Sequence, residues 1–110
     1  MHPALPDSIA TYFSAKSEHD TDATLACFTP TAVVFDEGEN MEMNGHEAIR
    51  KWLEGPIASY KLTTEVTDTR EQGGETVVTA LVSGNFPGSP IEFYYHFQLK
   101  DGKIDRLAIK

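Results

Sequence analysis

The sequence has few cysteines, few basic residues and no long hydrophobic run. Cys27 is the single cysteine in 110 residues, so an intrachain disulfide is excluded, which fits a reducing compartment. Nine Lys and Arg residues stand against 17 Asp and Glu residues, and the net charge of −8 argues against nucleic acid and against an anionic membrane surface as partners. The longest apolar runs are only a few residues, too short to span a bilayer.

The start of the sequence also lacks the pattern of a secretory signal. Residues 1–6 contain no basic segment followed by an apolar one, so we expect a cytoplasmic protein. The length fits one domain over residues 1–110, and 40% hydrophobic with 24% charged residues is ordinary for a globular chain. An acidic chain of this kind suits a neutral or cationic small-molecule ligand.

Helical patterns occupy the first half of the sequence. Pro6-Asp7-Ser8 opens a segment whose apolar residues recur at helical spacing, which predicts a first helix with one buried stripe. Asp20 supplies N-cap chemistry for a second, short helix that Pro30 stops. The side chains on these helices are Leu5, Ile9, Tyr12, Phe13 and Lys16 in the first, and Leu25, Ala26 and Phe28 in the second.

Two short strands and a third helix are predicted next. Residues 31–36 are β-branched and aromatic and predict a strand, residues 37–40 a turn, and residues 41–43 a short return strand. Asn44 can cap a helix, and Glu47 three residues later resembles a capping box. The apolar residues of this third helix are Ile49, Trp52, Leu53 and Ile57, and Gly55-Pro56 ends or kinks it.

The second half contains only strand patterns. Alternating residues predict strands over 60–70, 76–86, 91–100 and 103–110, the last two joined by an Asp101-Gly102 hairpin turn. Helices followed by strands indicate an α+β fold, in which about three N-terminal helices and a curved antiparallel sheet, mixed at one edge if at all, enclose a pocket. On the strand over 91–100, one face is predicted to carry Ile91, Phe93, Tyr95, Phe97 and Leu99.

The order of these segments resembles the nuclear transport factor 2-like superfamily and, within it, the SnoaL-like and ketosteroid-isomerase-like members. The resemblance covers nearly the whole chain. It implies a cone-shaped α+β barrel with a pocket at the wide end, and a homodimer formed through the open sheet face. The superfamily hosts isomerases, dehydratases, cyclases, epoxide hydrolases and non-enzymes. The matching pieces are Tyr12-Phe13, Asp22–Phe28, Ala32–Asp36, Asn44–Leu53 and His96–Ile104.

Asp36 is the candidate general base. It ends the first predicted strand, at the rim where a cavity would open, and it lies nine residues before Gly45. The resemblance implies that a carboxylate at this spacing is the base of the ketosteroid isomerases, which moves a proton next to a carbonyl group. The alternative is a strand-end Asp that accepts N–H bonds from the turn at residues 37–40.

Two tyrosines are candidate hydrogen-bond donors to a developing oxyanion. Tyr12 lies 24 residues before Asp36, the separation that the resemblance implies for the isomerase donor, although a tyrosine on an apolar stripe also suits the core. Tyr95 stands where those isomerases have a protonated Asp, so it would have to donate in that residue's place. The aromatic residues expected to line core and pocket are Phe13, Trp52, Phe86, Phe93 and Phe97.

No metal or cofactor is expected. Glu37, Glu39 and Glu42 join Asp36 in an acidic loop, but they lack the ligand spacing of a calcium loop. Of the histidines, His96 is expected on the outer sheet face, at a dimer interface.

Three functions remain open at this point. The chain could be a cofactor-free isomerase, cyclase or dehydratase acting on a small, mostly apolar carbonyl compound. It could instead be a binding module that uses the same pocket without catalysis, or a dimerisation domain whose own aromatic side chains fill the pocket.

Overall fold

Three helices and a six-stranded sheet make up the computed structural model, which describes residues 6–110 and, within them, all side chains but those of residues 56, 57 and 59. The α+β class is confirmed. The helices are α1 (Asp7–Ser17), α2 (Thr21–Leu25) and α3 (Gly45–Trp52), and α3 continues through a widened turn, Leu53–Ile57, into a last turn at Ala58–Tyr60. The strands are β1 (Phe28–Asp36), β2 (Met41–Asn44), β3 (Thr63–Gln72), β4 (Glu75–Ser83), β5 (Ile91–Lys100) and β6 (Lys103–Ile109).

The sheet is mixed and open, with the strand order β2-β1-β6-β5-β4-β3. Its neighbouring strands are antiparallel except for β1 and β6, which run parallel. The pairing register shifts in β1, in β3 between Val66 and Asp68, and in β5 between Gln98 and Leu99. Irregularities of this kind bend a sheet and increase its twist, which produces the curved wall predicted from the sequence.

One hydrophobic core joins the helices to the concave face of the sheet. The described members of the predicted apolar stripes lie on the buried faces of α1 and α3, while Leu5 and the side chain of Ile57 lie outside what the structure describes. Burying each of these large side chains contributes roughly 1.5–3 kcal/mol to the stability of the folded state. The core includes Ile9 and Tyr12 of α1, Ile49 and Trp52 of α3, and Val34, Val78, Phe97 and Leu107 of the sheet.

Strand β1 begins earlier than predicted. Phe28 and Pro30 lie in β1 rather than in or after the second helix, because Phe28 pairs with Ile104 of β6. The register of this pairing is irregular between Phe28 and Val33, so Pro30, which has no N–H to donate, is tolerated there. The predicted cap of α2 is confirmed, since Asp20 Oδ1 accepts a hydrogen bond from the backbone N–H of Ala23 at 3.1 Å.

The predicted cap of α3 is wrong. Asn44 makes no side-chain cap, because it is the last residue of β2 and its amide donates to Glu42 Oε2 at 3.2 Å. Glu47 faces Lys51, with 3.8 Å between Oε1 and Nζ, instead of reaching back to the strand. Gly45 makes the change from strand to helix with a φ of +84°, a conformation that costs glycine little.

Strand ends also differ from the prediction in the second half. β4 ends at Ser83, because the next residues turn away: the N–H of Gly84 bonds to Ser89 Oγ at 2.9 Å and that of Asn85 to the Tyr60 carbonyl at 2.7 Å. The strand predicted to begin at Tyr60 begins instead at Thr63, and Tyr60 belongs to the helical segment. Leu99 leaves the buried face and is 37% exposed, since the register of β5 shifts just before it.

Candidate functional site

A cavity of about 270 Å³ lies beside the end of β1. Its wall is largely apolar, with contributions from Leu62, Val82, Phe86, Phe93 and Ile109. An apolar cavity with a small number of polar groups is the usual form of a small-molecule site. The polar side chains on its wall are Lys16, Asp36, Glu39, Tyr60 and Tyr95.

Asp36 is a buried carboxylate held by two hydrogen bonds. It is 6% exposed, and its Oδ2 accepts from Trp52 Nε1 at 2.9 Å. The backbone N–H of Glu39 donates to Oδ1 at 3.3 Å, so the turn interaction considered from the sequence is also formed. A carboxylate has about four acceptor positions, so these two bonds leave others free, and Asp36 lines the cavity.

Tyr95 of β5 faces the same cavity. It is 2% exposed, and its ring packs edge-on against Phe13 at 5.1 Å between centroids. Burial and the negative charge of Asp36 raise the pKa of Tyr95, so its hydroxyl remains a neutral donor at physiological pH. Among the side chains that the structure describes, none hydrogen-bonds to this hydroxyl, which leaves it available to a ligand.

Tyr12 lies one layer behind the cavity. It is fully buried and packs edge-on against Phe13, Phe28 and Phe97. Its hydroxyl accepts a hydrogen bond from Lys16 Nζ at 3.4 Å, and burial raises its pKa well above the ordinary value. The structure thus brings Asp36 and Tyr95 together at the cavity and separates Tyr12 from it by Lys16.

Of the five aromatic residues expected at the pocket, two line the cavity and the other three lie in the core instead. Phe86 and Phe93 line the cavity, with 6.5 Å between their ring centroids. Phe13 and Phe97 pack around Tyr12 and Tyr95 in the core, and Trp52 is fully buried and serves as a hydrogen-bond donor to Asp36.

Lys16 is the site residue that the sequence analysis did not single out. Its amino group lies 5.3 Å from the ring centroid of Tyr12, 5.5 Å from that of Tyr95 and 5.9 Å from that of Trp52. Burial lowers the pKa of Lys16 to about 8, an effect that the charge of Asp36 partly offsets. The sequence feature that could have identified Lys16 is its position on the apolar stripe of α1, four residues after Tyr12.

A second cavity adjoins the first. It measures about 340 Å³, is lined mainly by polar residues of the helical layer such as Ser17, Thr24 and Glu54, and shares Lys16 and Leu62 with its neighbour. The smaller cavity is the candidate site although the other is larger, because it contains the buried carboxylate and the apolar wall.

A hydrogen bond between two side chains forms one side of the smaller cavity. The Tyr60 hydroxyl donates to Glu39 Oε1, and this bond raises the pKa of Tyr60. Glu39 is thereby paired within the protein, whereas its neighbours Glu37 and Glu42 are exposed. Within residues 6–110, no three His, Cys, Asp or Glu side chains are grouped so as to hold a metal ion.

His96 and His46 lie away from the site. His96 is on the opposite face of the sheet, as predicted, where its Nδ1 lies 3.4 Å from Glu75 Oε1. His46 Nε2 lies 3.2 Å from the carbonyl oxygen of Phe28. Neither is placed to act with Asp36. In the described part of the chain, none of the helices has the length and apolar character needed to cross a membrane.

Comparisons with known proteins place this geometry in context. Residues 9–107 match the SnoaL-like domain family. A proposed polyketide cyclase from Sinorhizobium meliloti is 42% identical, with a TM-score of 0.89 over 96% of this chain and 95% of that one. No protein with curated annotation matches.

Two more distant structures share the fold. One is a protein from Catenulispora acidiphila with a ketosteroid isomerase-like fold, in complex with trimethylamine; it has 16% identity and a TM-score of 0.83 over 97% of this chain and 86% of that one. The other is TerC crystallised with polyporic acid, with 18% identity and a TM-score of 0.80 over 94% and 88% of the two chains.

Proposed function

This chain belongs to the SnoaL-like domain family, a branch of the nuclear transport factor 2-like superfamily, and on that premise we propose that it is an acid–base enzyme for a small carbonyl compound. The observation that carries the proposal is the buried Asp36 carboxylate on the wall of a largely apolar cavity. The relative with 42% identity carries the name of a proposed polyketide cyclase, which supports a reaction of the isomerase, cyclase or dehydratase type.

Asp36 would remove a proton from the carbon next to the carbonyl group. The electron pair of the broken C–H bond moves toward the carbonyl oxygen, and the Tyr95 hydroxyl donates a hydrogen bond to that oxygen. A donor already in position for a developing oxyanion is worth about 3–4 kcal/mol in the transition state. Trp52 contributes by orienting the carboxylate through its 2.9 Å hydrogen bond. Asp36 then returns the proton to the same or another carbon.

Proton exchange on a ketone tests this proposal directly. NMR of 2-acetylnaphthalene in D₂O measures how fast its methyl protons exchange in the presence of the protein. Asp36→Asn should lower the exchange rate by roughly 10²–10⁴-fold, the usual contribution of a positioned base. Glu37→Gln is the matched control, because Glu37 lies in the same turn but is exposed. Equal exchange by wild type and Asp36→Asn would refute a base at this position.

Binding without catalysis is the second candidate. It is favoured by the two hydrogen bonds that already hold Asp36, because a purely structural carboxylate would look the same. In that case the wild-type protein accelerates no exchange, and titration of the same ketone gives equal affinities for wild type and Asp36→Asn.

We also propose that the chain forms a homodimer through the open sheet face and acts in the cytoplasm. The outer face carries exposed apolar side chains on adjacent strands, with Leu81 38% exposed and Tyr94 45% exposed. An exposed apolar patch on a sheet face commonly marks a surface that another protein chain covers. Light scattering on the purified protein tests the oligomeric state, and Leu81→Lys should shift a dimer toward monomer.

A further inference from the structure

Lys16 is a cavity-lining amine that the proton transfer described above does not use. It lines both cavities, so a ligand in either has access to it. Three rings surround its amino group, from Tyr12 of α1, Trp52 of α3 and Tyr95 of β5. Aromatic faces stabilise a cationic nitrogen, whether an ammonium or an iminium.

The amine has a neutral hydrogen-bond partner and is not held in an ion pair. Its partner is the Tyr12 hydroxyl at 3.4 Å, and among the described side chains no carboxylate oxygen lies within 4 Å of it. The same cavity carries Asp36 and Glu39, so its charges disfavour an anionic ligand and accept a neutral carbonyl compound.

We propose that Lys16 forms a Schiff base with the carbonyl carbon of the ligand. The lone pair of Nζ attacks that carbon, a C–N bond forms, and the carbonyl oxygen takes up a proton to give a carbinolamine. The C–O bond then breaks, the oxygen leaves as water, and the nitrogen lone pair completes the C=N bond. The net reaction is amine plus carbonyl to imine plus water, and nothing is oxidised or reduced. A solvent water carries the proton from nitrogen to oxygen, because Asp36, on the same cavity wall, has no oxygen within 4 Å of Nζ.

Two properties of the site support this step. A lysine desolvated in an apolar pocket is the usual form of an amine nucleophile. With a pKa of about 8, Lys16 has a much larger uncharged fraction at neutral pH than a surface lysine.

The inference rests on the proposed function for its ligand class, and it deepens the mechanism. An iminium withdraws electrons more strongly than a carbonyl, so it makes the neighbouring C–H bond easier for Asp36 to deprotonate. The two ideas can still fail separately, because an aldehyde without a neighbouring C–H bond can form the imine but cannot undergo the proton transfer.

Reductive trapping with benzaldehyde and sodium cyanoborohydride at pH 7.5 tests the imine by itself. Peptide mass mapping should show a benzyl group on Lys16, acquired about tenfold or more faster than on Lys51, an exposed lysine of α3. The Lys16 rate should saturate with benzaldehyde concentration, whereas the Lys51 rate should rise linearly.

Lys16→Arg keeps the positive charge but cannot form an imine. Lys16→Met removes both the charge and the amine that would form the imine. Both variants should lose the fast modification and keep the slow modification of Lys51. If wild-type Lys16 is modified no faster than Lys51, or if its rate does not saturate, the proposal is overturned. Ketone exchange that is lost in Asp36→Asn and unchanged in Lys16→Arg would retain the acid–base function and remove the covalent step.

Discussion

Replacing Lys16 with methionine should stabilise the protein at neutral and mildly acidic pH. Burial lowers the pKa of Lys16 from 10.5 to about 8, which corresponds to about 3 kcal/mol of disfavoured charge in the native state. The side chain is partly exposed, and the variant loses the hydrogen bond to Tyr12, at a cost of about 1 kcal/mol, and the cation–π contacts, at about 0.5–1 kcal/mol. We therefore expect Lys16→Met to raise the free energy of unfolding by about 1–2 kcal/mol at pH 6.

The pH dependence gives the sign of the effect. Between pH 8 and 10.5 the unfolded chain holds a proton on Lys16 that the native protein has released, so wild-type stability rises with pH across this window. Below pH 8 the free-energy cost of burying the charged Lys16 is complete, and above about pH 10.5 this cost is absent.

Urea unfolding of both proteins at pH 6 and pH 10.5 is the assay. Lys51→Met is the matched control, because its 77% exposed side chain should change stability by less than about 0.5 kcal/mol. A destabilised Lys16→Met at pH 6, or the same stabilisation at both pH values, would refute a desolvated amine.

Three further changes probe the site and its surroundings. Trp52→Phe removes the N–H donor to the buried carboxylate of Asp36 and should lower the free energy of unfolding in urea by about 1–3 kcal/mol, together with slower ketone exchange. Gly84→Ala should lower the melting temperature, because a Cβ at this position would lie 2.6 Å from the backbone carbonyl oxygen of Tyr60. Overpacking of this kind costs about 1–3 kcal/mol of stability. Gly38→Ala is the control and should have little effect, because the nearest atom to its Cβ would be 3.6 Å away. Cys27 should react with Ellman's reagent at least tenfold more slowly in the native protein than in urea, because burial hides the thiol and raises its pKa.

The sheet was predictable from the sequence wherever the local pattern and the turn chemistry agree. Strand β5 has the predicted bounds, and the Asp101-Gly102 turn adopts the positive φ values of +52° and +80° that its residues favour. The predicted strand boundaries were wrong where pairing with a strand far away in the sequence decides them. Phe28 follows a helix in the sequence, but it pairs with Ile104 of β6, which no local pattern reveals.

The site was only partly predictable for the same reason. Asp36 could be chosen because it ends a strand and has the spacing that the family resemblance implies for a base. Lys16 could not be chosen, because its surroundings come from three elements that meet only in the folded chain, with Tyr12 the sole neighbour at helical spacing. Tyr12 has the spacing that the resemblance implies for the donor, yet its hydroxyl bonds to Lys16, and Lys16 rather than Tyr12 lines the cavity.

The parallel pairing of β1 with β6 sets the order in which this chain can fold. Thr29 of β1 donates to Asp105 of β6 at 2.8 Å across 76 positions of sequence, so β1 joins the rest of the sheet by a long-range contact. During synthesis on the ribosome, β1 can pair with β2 early, but its other edge stays unpaired until β6 emerges. Contacts of this range slow folding and prolong the exposure of an apolar strand to other chains. The edge of β1 is therefore covered against pairing with other chains only once β6 has joined it.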